Sequence, residues 1–102
     1  MTRREQMIIN DYCERETAIA VIELTNIKKV ARLRECTAFV YETESYYVLR
    51  SYSTYVAFIR KSDGTCFDIL RAVYGYTATS AQHIAKFKTD YHAESCQVWR
   101  VV

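Results

Sequence analysis

The sequence predicts an α+β fold, in which an antiparallel sheet of four or five strands packs with a helix near residues 79–91 and with an N-terminal helical region. Three observations lead to this prediction. β-Branched and aromatic residues concentrate over 37–70, Ser62-Asp63-Gly64 interrupts them with a turn, and an apolar repeat of three to four residues follows residue 79. At 102 residues we expect one domain over 1–102, with a helical or arm region over 1–35 and a sheet-plus-helix core over 36–102.

The predicted sheet comes from runs of residues with high strand propensity. These runs are 37–41, 46–50, 54–60 and 65–70, and the alternating residues 97–102 predict a last strand. Residues 42–45 predict a turn, and Gly64 supplies the positive φ that a hairpin turn requires. Over 37–70 we therefore expect an antiparallel meander of three or four strands.

The predicted C-terminal-half helix starts at a capping box, Thr79-Ser-Ala-Gln82, whose side chains satisfy free backbone N–H groups. The apolar residues that follow recur at helical spacing and form one stripe. They are Ala81, Ile84, Phe87 and Tyr91.

The N-terminal region is less defined. Residues 1–12 fit a short strand or a loose arm. Over 14–24, acidic residues followed by alanines favour a helix, but the β-branched run 19–22 suits a buried strand equally, so both alternatives stay open. Thr25 or Asn26 then resembles an N-cap, and apolar residues at helical spacing behind it predict a second helix.

Composition excludes several classes of protein. Two glycines and no proline leave no Gly-rich phosphate loop, dinucleotide fingerprint or flexible linker. A net charge of +2 is too small for DNA or membrane binding through bulk electrostatics, and it does not fit an acidic DNA mimic. The chain shows no apolar run of about 20 residues and no secretory signal, so we expect a cytoplasmic protein.

The four cysteines are Cys13, Cys36, Cys66 and Cys96, and no two of them form a C-x-x-C pair. We therefore expect buried or half-buried free thiols and no structural zinc.

Imidazole bases are limited to His83 and His92, and neither lies in a nucleophile motif. We therefore expect a protein that is not an enzyme and that holds no metal or cofactor.

Binding is better supported, because nine tyrosines supply flat rings with hydroxyl groups. The segment 74–80 combines aromatic rings, hydroxyls and the free N–H groups of a helix start, which favour an anion. The same residues also fit a plain sheet face and a plain helix cap. The candidate ligand-binding residues are Tyr74, Tyr76, Thr77, Thr79, Ser80, His83, Arg50 and Arg71.

A basic segment near the N-terminus offers an alternative site. Four cations lie close together in the N-terminal region, where they form either a solvated face or a patch that binds nucleic acid. They are Lys28, Lys29, Arg32 and Arg34.

Two stretches resemble a family of small uncharacterised proteins encoded by bacteriophages and mobile elements of Gram-positive bacteria. The first is Ser51-Tyr52-Ser53-Thr54-Tyr55-Val56-Ala57; the second, after a hairpin, is Tyr74-Gly75-Tyr76-Thr77-Ala78-Thr79-Ser80 with Ala81-Gln82-His83-Ile84-Ala85-Lys86-Phe87. The resemblance covers about residues 37–91 and does not extend to the first 35 residues.

The resemblance implies a genomic setting rather than a reaction, because that family has no activity to carry over. Small phage proteins of this kind often act against host defence. We therefore expect a counter-defence protein in the host cytoplasm that sequesters a small anionic nucleotide-like immune signal. The alternatives are an inhibitor that binds a host defence protein, in the manner of anti-CRISPR proteins, and a nucleic-acid-binding regulator. A homo-oligomer is expected, since a small domain encloses a pocket more easily between subunits.

Overall fold

The structure, a computed structural model, describes residues 1–73 and 75–101. Its architecture is α+β, which confirms the predicted fold class. The helices are α1 (Arg3–Glu23), α2 (Leu70–Val73) and α3 (Ala78–Asp90). The strands are β1 (Lys29–Arg32), β2 (Ala38–Glu42), β3 (Tyr46–Ser51), β4 (Thr54–Arg60), β5 (Thr65–Asp68) and β6 (Ser95–Val98).

All six strands form one sheet in chain order, from β1 at one edge to β6 at the other. The prediction of four or five strands was therefore too low. Neighbours from β1 to β5 are antiparallel, but β5 and β6 are parallel, with Cys66 opposite Cys96. The sheet is mixed because α3 lies between β5 and β6 in the chain, and a helical crossover returns the chain in the same direction.

The first 24 residues differ from the prediction of a strand or loose arm over 1–12. A single helix of 21 residues begins at Arg3 and is capped by Thr2, whose hydroxyl accepts a hydrogen bond from the Glu5 N–H while the Glu5 carboxylate accepts one from the Thr2 N–H. This reciprocal pair is a capping box. The helix continues through residues 14–23, so this segment is helical and the alternative of a buried strand was wrong.

Residues 29–32 form a strand, so the predicted second helix after Thr25 or Asn26 was wrong. In β1, Val30 lies opposite Tyr41 and Ala31 opposite Val40 of β2. The apolar spacing did fit a helix, but pairing with β2 satisfies the backbone of this segment and outweighs the local preference.

The third helix lies within one residue of the predicted 79–91 range. Its N-cap is Thr77 rather than Thr79, because the Thr77 hydroxyl accepts the Ser80 N–H. Ile84 and Phe87 of the predicted stripe are buried against the sheet. At the β4–β5 turn, Gly64 has a φ of 71°, in agreement with the predicted hairpin.

The two long helices cover opposite faces of the sheet. On the α3 face the buried cluster is centred on Val40, Leu49, Ile59 and Phe87. On the α1 face it is centred on Cys13, Val48, Phe58 and Phe67. Across residues 1–73 and 75–101, no helix is long and apolar enough to cross a membrane.

Polar contacts fix the direction of α1 across its face of the sheet. Near its start, the Gln6 amide donates to the Val98 carbonyl beside β6. Near its end, the Glu23 carboxylate accepts hydrogen bonds from Thr43 and Ser45 in the β2–β3 turn. α1 therefore runs diagonally across the sheet, from β6 to the β2–β3 turn. It leaves uncovered the ends of β1 to β4 that are farthest from this turn.

Candidate functional site

The candidate ligand-binding residues around α2 and α3 divide into an inner and an outer group. The inner group is buried: His83 is 3% exposed and Ser80 is 1% exposed. The Ser51 hydroxyl lies 2.9 Å from the Ser80 hydroxyl and 2.8 Å from His83 Nδ1. Ser80 and His83 therefore hold α3 to β3 instead of facing a surface ligand.

The Ser51–His83 pair has the atoms of a nucleophile and a base within hydrogen-bond distance. Ser51 itself is 3% exposed, so a substrate has no route to its hydroxyl in this conformation. Burial also holds the pKa of His83 below its ordinary value, because the imidazolium would lose its hydration. The pair stabilises the contact between α3 and the sheet.

The outer group surrounds a shallow cleft. Tyr76 is exposed, and the Arg71 guanidinium lies 4.8 Å from the centre of its ring. Arg71, Tyr76, Arg100 and Val101 line a cleft of about 350 Å³. Thr77 is engaged as the α3 cap and Thr79 is exposed, while Tyr74 lies outside the described residues. The structure thus brings two of the eight candidates, Arg71 and Tyr76, together in this cleft.

Arg50 lies on the opposite face of the sheet from Ser80 and His83. Its guanidinium donates a 3.0 Å hydrogen bond to the Tyr41 hydroxyl, and Tyr41 packs against the cluster on the α1 face. Arg50 therefore belongs to a different surface from the residues with which it was grouped in the sequence.

That surface carries a row of four side chains in register across four strands. Arg32 on β1 lies opposite Phe39 on β2, Phe39 opposite Arg50 on β3, and Arg50 opposite Tyr55 on β4. Directly opposed residues of antiparallel strands share a face, so the four project from the same side of the sheet. We call Arg32, Phe39, Arg50 and Tyr55 the arginine–aromatic row.

The row is open because α1 crosses β3 at its other end. α1 contacts β3 through Tyr46, whose hydroxyl donates to Glu16 at 3.0 Å. Arg50 is four residues further along the strand, which is about 13 Å at 3.3 Å per residue. Phe39 is 38% exposed and Arg32 is exposed, while Arg50 and Tyr55 are half-buried.

The positive charges of the row are also available. In the part of the chain that the structure describes, neither Arg32 nor Arg50 forms an ion pair. The Arg32 Nε group donates to the Cys36 carbonyl, and the Arg50 Nη1 group donates to Tyr41. Both guanidiniums are therefore oriented without being neutralised.

The other cations of the basic segment do not extend this row. Lys28 pairs with Glu44, and Arg34 pairs with Asp90 at 2.7 Å. Lys29 lines a small cavity on the α3 face. The four cations that are close in sequence therefore separate in space, and only Arg32 among them joins the row.

One cysteine differs from the expectation that all are buried or half-buried. Cys13 and Cys66 are buried and Cys36 is half-buried, but Cys96 on the edge strand β6 is exposed. Its interaction with the Cys66 thiol on the neighbouring strand, aided by the positive charge of Lys88, lowers the pKa of Cys96 to about 7. Within the described ranges, no three His, Cys, Asp or Glu side chains are placed to hold a metal ion.

The fold and these surfaces define an α+β protein whose six-stranded sheet lies between two helices and presents arginine and aromatic side chains on an open face. The chain belongs to a family of unknown function, DUF8033, whose model matches residues 16–101. The match starts inside α1 and includes the whole sheet and α3. No curated protein and no solved structure matches the chain.

Proposed function

We propose that this protein is a non-enzymatic binder of single-stranded nucleic acid and that the arginine–aromatic row is its binding surface. The observation that carries the proposal is the alternation of Arg32, Phe39, Arg50 and Tyr55 in register on an open sheet face. Aromatic side chains on a sheet stack on bases, and arginine binds the phosphates between them.

The spacing of the row supports this assignment. Phe39 and Tyr55 lie two strands apart, which is about 10 Å at 4.8 Å per strand. Arg50 lies on the strand between theirs, so its guanidinium is placed to bind a phosphate that links two stacked bases. Arg32 continues the row at the outer edge strand and adds a second phosphate contact.

The open shape favours a strand over a small molecule. Sites for small ligands are concave and enclose most of the ligand, whereas a single strand lies along an exposed sheet face. Duplex DNA is a poorer fit, because a flat sheet face has no element that enters a groove.

The test is fluorescence anisotropy with labelled single-stranded 12-mers of DNA and RNA. Loss of one stacking ring costs about 1–3 kcal/mol, so we expect Phe39→Ala to weaken binding by about 5- to 150-fold. Two phosphate contacts predict a slope of log K against log salt of about −1.4, and Arg50→Ala should halve it.

The matched control is Tyr52→Ala, which removes an exposed ring beside His83, on the other side of the sheet from the row, and should leave the affinity unchanged. A thermal melt of each variant shows whether it is folded. No binding at low salt, or equal binding by Phe39→Ala and the unaltered protein, would overturn the proposal.

The second candidate function is sequestration of a small anionic nucleotide-like signal, and the cleft at Arg71 and Tyr76 favours it. Tyr76 offers a ring for a base, and Arg71 and Arg100 offer charge for a phosphate. A bound ligand should raise the melting temperature of the native protein, and Arg71→Ala should abolish that shift. If a broad panel of mononucleotides, cyclic nucleotides and ADP-ribose derivatives gives no shift, this candidate is wrong.

We also propose the phage or mobile-element setting that the resemblance over residues 37–91 implies. In that setting, either binding activity would act against host defence in the host cytoplasm. The inhibitor alternative predicts a defined host defence protein that co-purifies in a fixed ratio with the chain. Purification of the chain from the host therefore distinguishes the inhibitor alternative from the two proposals in which the protein binds nucleic acid or a nucleotide.

A further inference from the structure

The outer face of α1, turned away from the sheet, carries exposed residues at a regular spacing. Alternating steps of four and three residues connect six positions, all of them exposed: Arg4, Ile8, Asp11, Arg15, Ala18 and Ile22. Ile8 is 63% exposed and Ile22 is 69% exposed. Met7 and Ile19 flank the same face and are about half exposed. We call the six residues the α1 seam.

The spacing of the α1 seam is that of a coiled-coil contact line. Steps of four and three keep side chains on one side of a helix that packs along a second helix. Amphipathic helices normally bury their apolar residues against their own domain. Here the inner face of α1 already does so through Cys13 and Ala20, so the apolar outer residues are additional.

The order of charges along the seam selects one partner, a second copy of the same helix in antiparallel orientation. We place the two-fold axis at the level of residue 13, halfway along the seam. Residues of the two copies then lie level with each other when their numbers add to 26. Asp11 then lies opposite the partner subunit's Arg15, and the symmetry repeats this ion pair. Parallel pairing would instead place Arg15 opposite the partner subunit's Arg15, with like charges in contact.

The apolar positions fit the same antiparallel arrangement. Large Ile8 lies opposite the partner subunit's small Ala18, which suits close packing of helices. The stem of Arg4 covers the partner subunit's Ile22. In the described part of the chain, neither Asp11 nor Arg15 forms an ion pair of its own, so both charges are free for this contact.

We infer that the α1 seam is the interface of a two-fold symmetric dimer in which two α1 helices pack antiparallel. The interface is isologous, because the same surface of both copies takes part. From Arg4 to Ile22 the seam is about 27 Å long at 1.5 Å per residue. A single helix pair is at the small end of specific interfaces, so the dimer is expected to dissociate on dilution.

Sedimentation velocity at low salt over a wide range of protein concentrations tests the inference. The unaltered protein should sediment as a dimer at the highest concentrations and as a monomer on dilution. Asp11→Arg places like charges opposite each other twice and should give a monomer throughout. The double variant Asp11→Arg/Arg15→Asp restores opposite charges in both pairs and should regain the dimer.

Glu35→Arg is the matched control. It makes the same change of charge on an exposed residue in the turn between β1 and β2, away from α1, so it should leave the dimer intact. Circular dichroism establishes that α1 is folded in every variant. A monomer at all concentrations of the unaltered protein would overturn the inference. So would a dimer that survives Asp11→Arg, or a double variant that stays monomeric.

Discussion

Replacing Arg60 by methionine tests the polar network that holds α1 to the sheet. Arg60 on β4 donates to the Glu16 carboxylate of α1, to the Tyr12 hydroxyl at 2.7 Å and to Asp63 at 2.6 Å. Its guanidinium also lies 5.7 Å from the centre of the Tyr12 ring. Arg60→Met keeps most of the stem and removes the charge, so it leaves Glu16 without its cationic partner.

The magnitude follows from the burial of Glu16, whose side chain is 12% exposed. Removing one partner of a buried ion pair costs about 3–5 kcal/mol, because the remaining charge stays in a poorly solvated place. Asp63 is half exposed and contributes little, as surface ion pairs do. A loss of about 3 kcal/mol corresponds to a fall of about 12–24 °C in melting temperature for a domain of this size.

Urea unfolding at pH 7 measures the loss. The companion variant is Glu16→Gln, which removes the stranded charge and keeps an oxygen that accepts the Tyr46 hydroxyl. The double variant Arg60→Met/Glu16→Gln should recover a large share of the stability lost in Arg60→Met alone. A cost below about 1 kcal/mol for Arg60→Met would show that Glu16 reaches solvent easily. That result, or a double variant no more stable than the single one, would refute the reasoning.

Two further predictions concern titratable groups. Because burial lowers the pKa of His83, the unfolded chain takes up a proton more readily, so the free energy of unfolding should fall as the pH drops through about 6.5. His83→Asn keeps a polar group near Ser51 but does not titrate in this range. In this variant the free energy of unfolding, measured with urea, should change less between pH 7 and pH 5.5 than in the unaltered protein. An equal change with pH in both proteins would contradict this. The Cys96 thiol, with a pKa of about 7, should be alkylated far faster at pH 7 than Cys13, whose pKa burial raises to about 11. Mass spectrometry of native protein treated with iodoacetamide measures the two rates, and similar rates would disprove the assignment.

Local sequence was informative where an element depends on its own residues. The stripe through Ile84 and Phe87 located α3, and Gly64 located the β4–β5 turn. The capping box at Thr2 and Glu5 was an equally local signal for α1 that the sequence interpretation did not use. The predicted sheet was wholly antiparallel, and this was wrong for β6, because the helical connection between β5 and β6 makes that pair parallel.

The rest depended on pairing between distant segments. Residues 29–32 have a spacing that fits a helix, and only β2 makes them a strand. The arginine–aromatic row has no contiguous signal, because register across four strands brings its members together. Arg32 and Arg50 were candidates in two separate proposals, and Phe39 and Tyr55 were in neither. Burial of His83 likewise follows from its contact with Ser51, 32 residues away.

The chain-order arrangement of the sheet has a consequence for how the molecule folds. From β1 to β5, each strand joins the one made just before it, so the sheet grows by closing short loops, which is fast. The contacts of α1 are of the opposite kind: Glu16 meets Tyr46 across 30 residues, and Gln6 meets Val98 across 92. During synthesis α1 leaves the ribosome before the sheet does, yet its β6 contacts form only after β6 is made. Until β2 to β4 are made, both faces of this helix are open to water, and a chaperone or a second nascent chain would meet α1 before its own sheet does.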